Sequence, residues 1–242
     1  MTIIWKDGAP FLPDKLENKM NSFWQRDIEQ TQKSTYLFNG NLCRLNNWHI
    51  ENAALTFDLG KTSYKALLYS NKYHRDLVKQ FGDAGLSKAL GISLILATND
   101  DRLILIKRSE HVGESPGKFD VIGGHVTPDE HLVNGIPDLF LAMADELKEE
   151  VNLSIKQGQM AIIGLIETRF NRKPEVIFAY QSALSASEII QTGAEQSSTE
   201  IADFLHIGND KHRLTDFLEK NHTLISPSAF GALRLYIQTH FN

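Results

Sequence analysis

Three glutamates fall within the five residues Glu146-Leu147-Lys148-Glu149-Glu150. On a helix, positions i, i+3 and i+4 share a face, so Glu146, Glu149 and Glu150 would project together. Bare like-charge pairs at that spacing repel by roughly 0.2–0.5 kcal/mol each. A hard divalent cation converts that repulsion into ligation, and Mg²⁺ prefers oxygen donors shared between carboxylates and substrate phosphates. A solvated acidic face is the plainer account of the triplet alone. Its surroundings favour chemistry: Gly124 of a Gly-Gly pair lies 22 residues before Glu146, behind an apolar Val121-Ile122 run and a Ser115-Pro116-Gly117 turn.

Other motif-like strings fail on their own chemistry. Gly113-Glu114-Ser115-Pro116-Gly117 has the form of a hydrolase nucleophile elbow, but the oxyanion hole needs the N–H after the serine, and Pro116 has none. Gly60-Lys61-Thr62 looks like the end of a phosphate-binding loop, yet Leu55 occupies the earlier glycine position, so a helix start is the better account. The nine histidines include no His-Glu-x-x-His pair for zinc. Asn99-Asp100-Asp101 lacks the glycine and glutamate of a calcium loop and reads as a hairpin turn.

The elements that must position these groups follow from periodicity. Leu16, Met20, Phe23, Trp24 and Ile28 predict a helix over 15–32 with one buried stripe. Strands over 42–50 and 53–59 precede a second helix, capped by Thr62 or Ser63 and broken at Gly82. Residues 1–88 thus form a small α+β extension. In residues 89–242, strands over 92–97 and 103–106 make a hairpin. A helix over 136–151 carries Leu139, Met143, Leu147 and Val151 as an apolar stripe apart from its acids. Strands over 161–166, 176–183 and 201–207 follow, then helices over 210–220 and 226–239. Strands bracketing one central helix, with later helices, predict an α/β (α+β) fold, an α/β/α sandwich around a mixed sheet.

The acidic segment and its glycines resemble the Nudix box, G-x5-E-x7-R-E-U-x-E-E-x-G-U, where U is bulky and apolar. Gly124, five residues and Glu130 match the first part. Glu146-Leu147-Lys148-Glu149-Glu150-Val151 matches the later part, and Leu153 the final U. Fourteen residues, not seven, separate Glu130 from Asp145, which stands at the usual Arg, and Asn152 stands at the usual Gly. In the family that Arg commonly pairs with the first glutamate, so Asp145 puts the role of Glu130 in doubt and leaves the metal face intact. Asn152 is a mild departure, because Asn is second to Gly in the left-handed conformation that ends helices.

The stretched box is accompanied by Gly60-Lys61-Thr62-Ser63-Tyr64, Ser115-Pro116-Gly117 and Ser226-Pro227-Ser228-Ala229. In that order they resemble the UDP-glucose pyrophosphatase branch of the family described from animals, which has an N-terminal extension, and the resemblance spans nearly the whole chain. It implies hydrolysis of the pyrophosphate of a UDP-sugar, such as UDP-glucose or UDP-galactose, to UMP and sugar 1-phosphate. The implied cofactor is Mg²⁺, with Mn²⁺ as an alternative ion. Glu146, Glu149, Glu150 and the Gly123 carbonyl are the implied metal ligands. Glu146, Glu195 and Glu200 are candidate general bases, with Glu200 preferred. Arg108, Lys118 and Arg169 are candidate phosphate contacts or ordinary surface charges, and Tyr64 is a candidate cover for the nucleotide or a core ring. The alternatives are hydrolysis of another nucleoside diphosphate derivative such as ADP-ribose, or a non-catalytic nucleotide-binding module.

Composition sets the outer limits. The chain has 242 residues, 42% hydrophobic and 23% charged, which suits a globular protein rather than a disordered one. Twenty-five basic against 30 acidic residues give −5, so no general basic field exists for nucleic acid or an anionic membrane. Cys43 is the sole cysteine, which excludes an internal disulfide and a cysteine-rich zinc site. No apolar run reaches membrane-span length and residues 1–10 lack a secretory pattern, so a cytoplasmic location is expected. The sequence leaves the oligomeric state open.

Overall fold

The computed structural model of the chain describes residues 1–10, 12–31, 37–169, 171–196 and 198–241. Its first elements are strand β1 (Thr2–Trp5), helix α1 (Asp14–Trp24), strands β2 (Asn41–Glu51) and β3 (Ala54–Ser63), and helix α2 (Tyr64–Phe81). Strands β4 (Gly91–Ala97), β5 (Arg102–Arg108), β6 (Phe119–Asp120) and β7 (Ile122–His125) follow, then β8 (Leu132–Val133), β9 (Ile136–Pro137) and helix α3 (Leu139–Val151). The remainder is β10 (Ala161–Glu167), β11 (Pro174–Gln181), α4 (Ala186–Ala194), β12 (Ile201–Gly208), α5 (Lys211–Lys220) and α6 (Pro227–His240). No helix among the described residues is long and apolar enough to cross a membrane.

The chain divides into two compact units. The first comprises Met1–Leu90, His125–Asp138 and Arg169–Pro174, the last two from the stretch that the sequence reading places in the 89–242 domain. Its core joins Leu16, Met20, Phe23 and Trp24 of α1 to Leu68, Tyr69 and Leu77 of α2. Beyond Trp24 the chain widens into a π-helical turn, Gln25–Glu29, that delivers Ile28 to the same cluster. Gln32, the last residue of the expected helix, lies outside the described residues. The sheet order is β1-β3-β2. Gly60-Lys61-Thr62, expected to begin a helix, is strand: pairing with β2 continues through Ser63. The helix starts only there, with the Ser63 hydroxyl accepting the Ala66 N–H at 3.3 Å.

The extra length of the stretched box also takes a form that periodicity did not reveal. Leu132–Val133 and Ile136–Pro137 pair as a hairpin, with Asn134 and Gly135 at φ +52° and +77°. Asn-Gly is the favoured pair for such a tight turn, since both positions need positive φ. Pro137 also discourages a helical residue before it. The expected helix therefore begins at Leu139 rather than near 136.

The second unit comprises Gly91–Gly124, Leu139–Thr168 and Glu175–Asn242. Its mixed seven-stranded sheet runs β10-β11-β4-β5-β12, with β6 paired to β5 and β7 to β4. Strands β11 and β4 are parallel, while β5 is antiparallel to both β4 and β12. Alternation along the strands sends Ile95, Leu103, Leu105 and Ile177 to one face, against Leu214, Ala229 and Leu233 of α5 and α6. From the other face Phe178 meets Phe140 of α3 edge-on, ring centroids 5.3 Å apart. This is the expected helix–sheet–helix sandwich. Strand β1 and helix α4 are additions, short elements of 4 and 9 residues that leave little periodic signal.

Candidate active site

Strand β7 brings two glycines where side chains have no room. A Cβ on Gly123 would collide with the Ile92 backbone carbonyl of β4, and one on Gly124 would overlap the Glu146 carboxylate. Backbone can therefore approach both the neighbouring strand and α3. Helix α3 buries Leu139, Met143, Leu147 and Val151 as expected, and Glu150 with them, at 6% exposure. Glu150 Oε2 accepts a hydrogen bond from the Gly123 N–H at 3.2 Å. Glu146 lies one turn earlier on the same helix face, whereas Glu149 is exposed. The helix ends at Asn152 with φ +56°, its N–H bonded to the Lys148 carbonyl at 3.0 Å, the left-handed stop that asparagine tolerates.

The electrostatics are those of crowded acids sharing one guanidinium. Burial pushes the Glu150 carboxyl well above the usual range, and neighbouring Glu146 pushes it further; Arg108 and the Gly123 N–H act in the opposite direction. Burial likewise raises the Asp120 carboxyl, opposed by Arg108 and by the Ser226 hydroxyl. The Arg108 Nη1 lies 3.5 Å from Asp120 Oδ2. Burial disfavours the charged guanidinium, but Asp120, Glu150, Glu114 and Glu200 outweigh it and leave the Arg108 pKa raised.

A second layer of hydrogen bonds ties this floor to α6. The Ser226 hydroxyl donates to Asp120 Oδ1 at 2.7 Å and accepts the Ala229 N–H at 3.0 Å, so one oxygen caps the helix and holds the acid. Ser228 Oγ donates to Glu175 Oε2 at 3.2 Å, and Ser93 Oγ to Glu175 Oε1 at 2.7 Å. Gly91, opposite Glu175 on the neighbouring strand, leaves space for that carboxylate. Sequence reasoning singled out neither Asp120 nor Glu175. The available signal was an acid set within or beside an apolar run, Phe119-Asp120-Val121-Ile122 and Glu175-Val176-Ile177-Phe178.

Of the predicted site residues, the second unit holds Gly123, Glu146, Glu149, Glu150, Arg108, Lys118 and Glu200, whereas Tyr64 and Arg169 belong to the first. Glu200 is exposed just before β12, and its backbone carbonyl accepts the Ser109 N–H at 2.7 Å. Lys118 is half-buried and its carbonyl accepts the Arg108 N–H at 2.8 Å. Tyr64 packs on Leu42, Leu67 and Ala89, and Arg169 is exposed in a turn. Glu130 is exposed, with Oε2 accepting from the Thr127 hydroxyl at 3.2 Å.

Among the described residues no three His, Cys, Asp or Glu side chains are grouped to hold a metal ion. Glu146 and Glu150 nevertheless fit a hard divalent cation in donor chemistry. They are oxygen donors; burial, and then repulsion from Glu146, holds the Glu150 pKa up, and a cation between the two carboxylates would offset both. Mg²⁺ needs only one or two protein carboxylates when substrate phosphates and water complete its shell.

No protein-family profile matches the sequence. The chain is 30% identical over 210 residues to a uridine diphosphate glucose pyrophosphatase of Mus musculus, covering 75% of this chain and 67% of that one. It is 23% identical over 216 residues to Nudix hydrolase 9 of Arabidopsis thaliana, covering 76% and 68%. Among solved structures it is similar to a MutT protein from Methanosarcina mazei Go1, with a TM-score of 0.45, 16% identity and coverage of 62% and 94%.

Proposed function

The chain belongs to the Nudix hydrolases, and we propose that it cleaves the pyrophosphate bond of a UDP-sugar with Mg²⁺, giving UMP and sugar 1-phosphate. The observation that carries the hydrolytic reading is the pair Glu146 and Glu150, one helical turn apart and set against the backbone of Gly123 and Gly124. The choice of a UDP-sugar follows the name of the mouse relative.

In this reading Glu146 and Glu150 hold the ion, with Glu149 and the Gly123 carbonyl as further candidate donors. Bound there, Mg²⁺ would screen the pyrophosphate charge and acidify a water. The Gly123 N–H fixes one Glu150 oxygen and so orients the other, while the bare Cα of Gly124 leaves the Glu146 carboxylate its place. Glu200, exposed just before β12, is the proposed general base: it takes a proton from the attacking water as the new P–O bond forms. The bridging P–O bond breaks, and the departing phosphate takes up the electron pair. Lys118 is the proposed phosphate contact.

The test is product analysis after incubation with Mg²⁺ and, separately, UDP-glucose, UDP-galactose, ADP-ribose and a nucleoside triphosphate, with EDTA controls. UMP and sugar 1-phosphate from the UDP-sugars are expected. Preference for ADP-ribose would discard the substrate and keep the chemistry; folded protein that turns over none of them would discard both.

A further inference from the structure

The residue that links the segments of this site is Arg108, the last of β5. Its side chain is only 14% exposed. Its Nε donates to the Glu114 carbonyl at 3.0 Å, inside the loop between β5 and β6, and its Nη1 faces Asp120 at 3.5 Å. Four carboxylates act on the guanidinium: Asp120 from β6, Glu150 from α3, Glu114 from the loop, and Glu200 ahead of β12. Backbone hydrogen bonds gather the same segments. The Arg108 N–H reaches Lys118 O at 2.8 Å, and the next residue, Ser109, reaches Glu200 O at 2.7 Å.

We infer that Arg108 is a positioning residue, which ties the 109–118 loop to Asp120 and stands as shared counter-charge beside Glu150 and Glu200, rather than a phosphate ligand. A guanidinium drawn out to a phosphate would abandon the Glu114 carbonyl and leave Asp120, a buried acid, without its cation. Its role is to hold the loop and the acids in register before substrate arrives. Only Arg meets both demands, because its planar fork sends one N–H to a carbonyl and another to a carboxylate, whereas a lysine ammonium is a point charge.

The inference rests on the hydrolase reading for its kinetic test and is independent of it for its structural one. In the full chain, Arg108→Gln is expected to lower kcat about 10–100-fold, the range for partners that orient a metal site, with KM for the UDP-sugar within about threefold. Arg108→Lys should recover part of kcat, since it restores charge beside Asp120 but not the Glu114 bond. Should Arg108→Gln fail to fold, Arg108→Lys carries the comparison. A KM raised tenfold or more with kcat retained would overturn the assignment and make Arg108 a substrate contact. Hydrogen exchange without substrate or metal supplies the second readout: uptake in 109–118 should quicken in Arg108→Lys at an unchanged melting temperature. Unchanged uptake there would refute the tether. An unsubstituted chain without turnover toward any nucleotide would sink the hydrolase reading, while the exchange result would still decide the tether.

Discussion

Ser226→Ala tests whether the Ser-Pro-Ser start of α6 supports the acidic floor. The hydroxyl performs two tasks, accepting the Ala229 N–H at 3.0 Å and donating to Asp120 Oδ1 at 2.7 Å, at 2% exposure where water cannot substitute. Losing a helix cap costs about 1 kcal/mol. Losing a hydrogen bond to a charged acceptor costs about 1.5–3 kcal/mol, and the acceptor left behind is buried. The variant should therefore be about 2.5–4 kcal/mol less stable, or melt about 5–15 °C lower. Ser228→Ala is the control: one partly buried bond, 3.2 Å to Glu175, worth about 1 kcal/mol. Both are measured by urea titration, with equal slopes required before stabilities are compared. The difference between Ser226→Ala and the parent should narrow as pH falls through the raised Asp120 pKa, because the bond is strongest to the ionised form. A Ser226→Ala loss no larger than that of Ser228→Ala, or one indifferent to acid, would refute the idea that Asp120 is held from α6.

Three further outcomes follow from the same geometry. Glu150→Gln should lower turnover at least about 10–100-fold yet stabilise the fold most at pH above the raised Glu150 pKa. Burial and Glu146 raise the folded-state pKa, so the Glu150 penalty is complete above that pKa, shrinks as pH falls below it and is gone below the unfolded-state pKa; denaturation across pH should show the stability gain fading in acid. Gly124→Ala should spoil turnover with little loss of stability, since its Cβ meets the movable end of Glu146, whereas Gly123→Ala meets the Ile92 backbone and should cost about 1–3 kcal/mol; melting curves and kcat separate the two. The Cys43 thiol, pushed up to about 12 by burial and fully enclosed, should resist a disulfide reagent until denaturant opens the first unit, as absorbance of the released thiolate will report.

What was legible in the sequence is what periodicity or strict spacing encodes. The apolar stripe of α3 is buried as its spacing requires, although Glu150 is buried with it rather than apart from it, and Asn152 terminates the helix in the left-handed conformation its residue type allows. The hairpin at 132–137 was missed because two strands of two residues have no period, and Ile136 fits a helical stripe as well as a strand. Helix α4 was missed although Ser185 and Glu188 form a capping box, since the segment spans only 9 residues. Within the site, spacing locates Glu146 and Glu150 on one helix face but says nothing of burial. That Glu149 is exposed, and that Arg108 turns inward, depend on neighbours brought from other strands. Asp120 and Glu175 were invisible for the same reason, because each bonds to a serine at the start of α6 more than 50 residues away in sequence, and Glu175 also to Ser93 of β4.

These buried acids also locate where the stability of the second unit originates. Ionised Glu150 and Asp120 both oppose folding, as their raised pKa values state, and one guanidinium does not cancel them. The favourable terms must lie in the apolar layers on either side of the sheet, around Ile95, Leu105, Ile177 and Leu233 on one face and Phe178 with Phe140 on the other. Function and fold thus share one side of the same helix, since Glu150 is buried beside Leu147 and Val151. In α3, Leu147 and Val151 contribute burial, while Glu146 and Glu150 hold charge against it. The site can remain anionic without substrate only because the surrounding layers carry the difference. A cation or a proton at Glu150 should therefore tighten the whole unit rather than the helix alone.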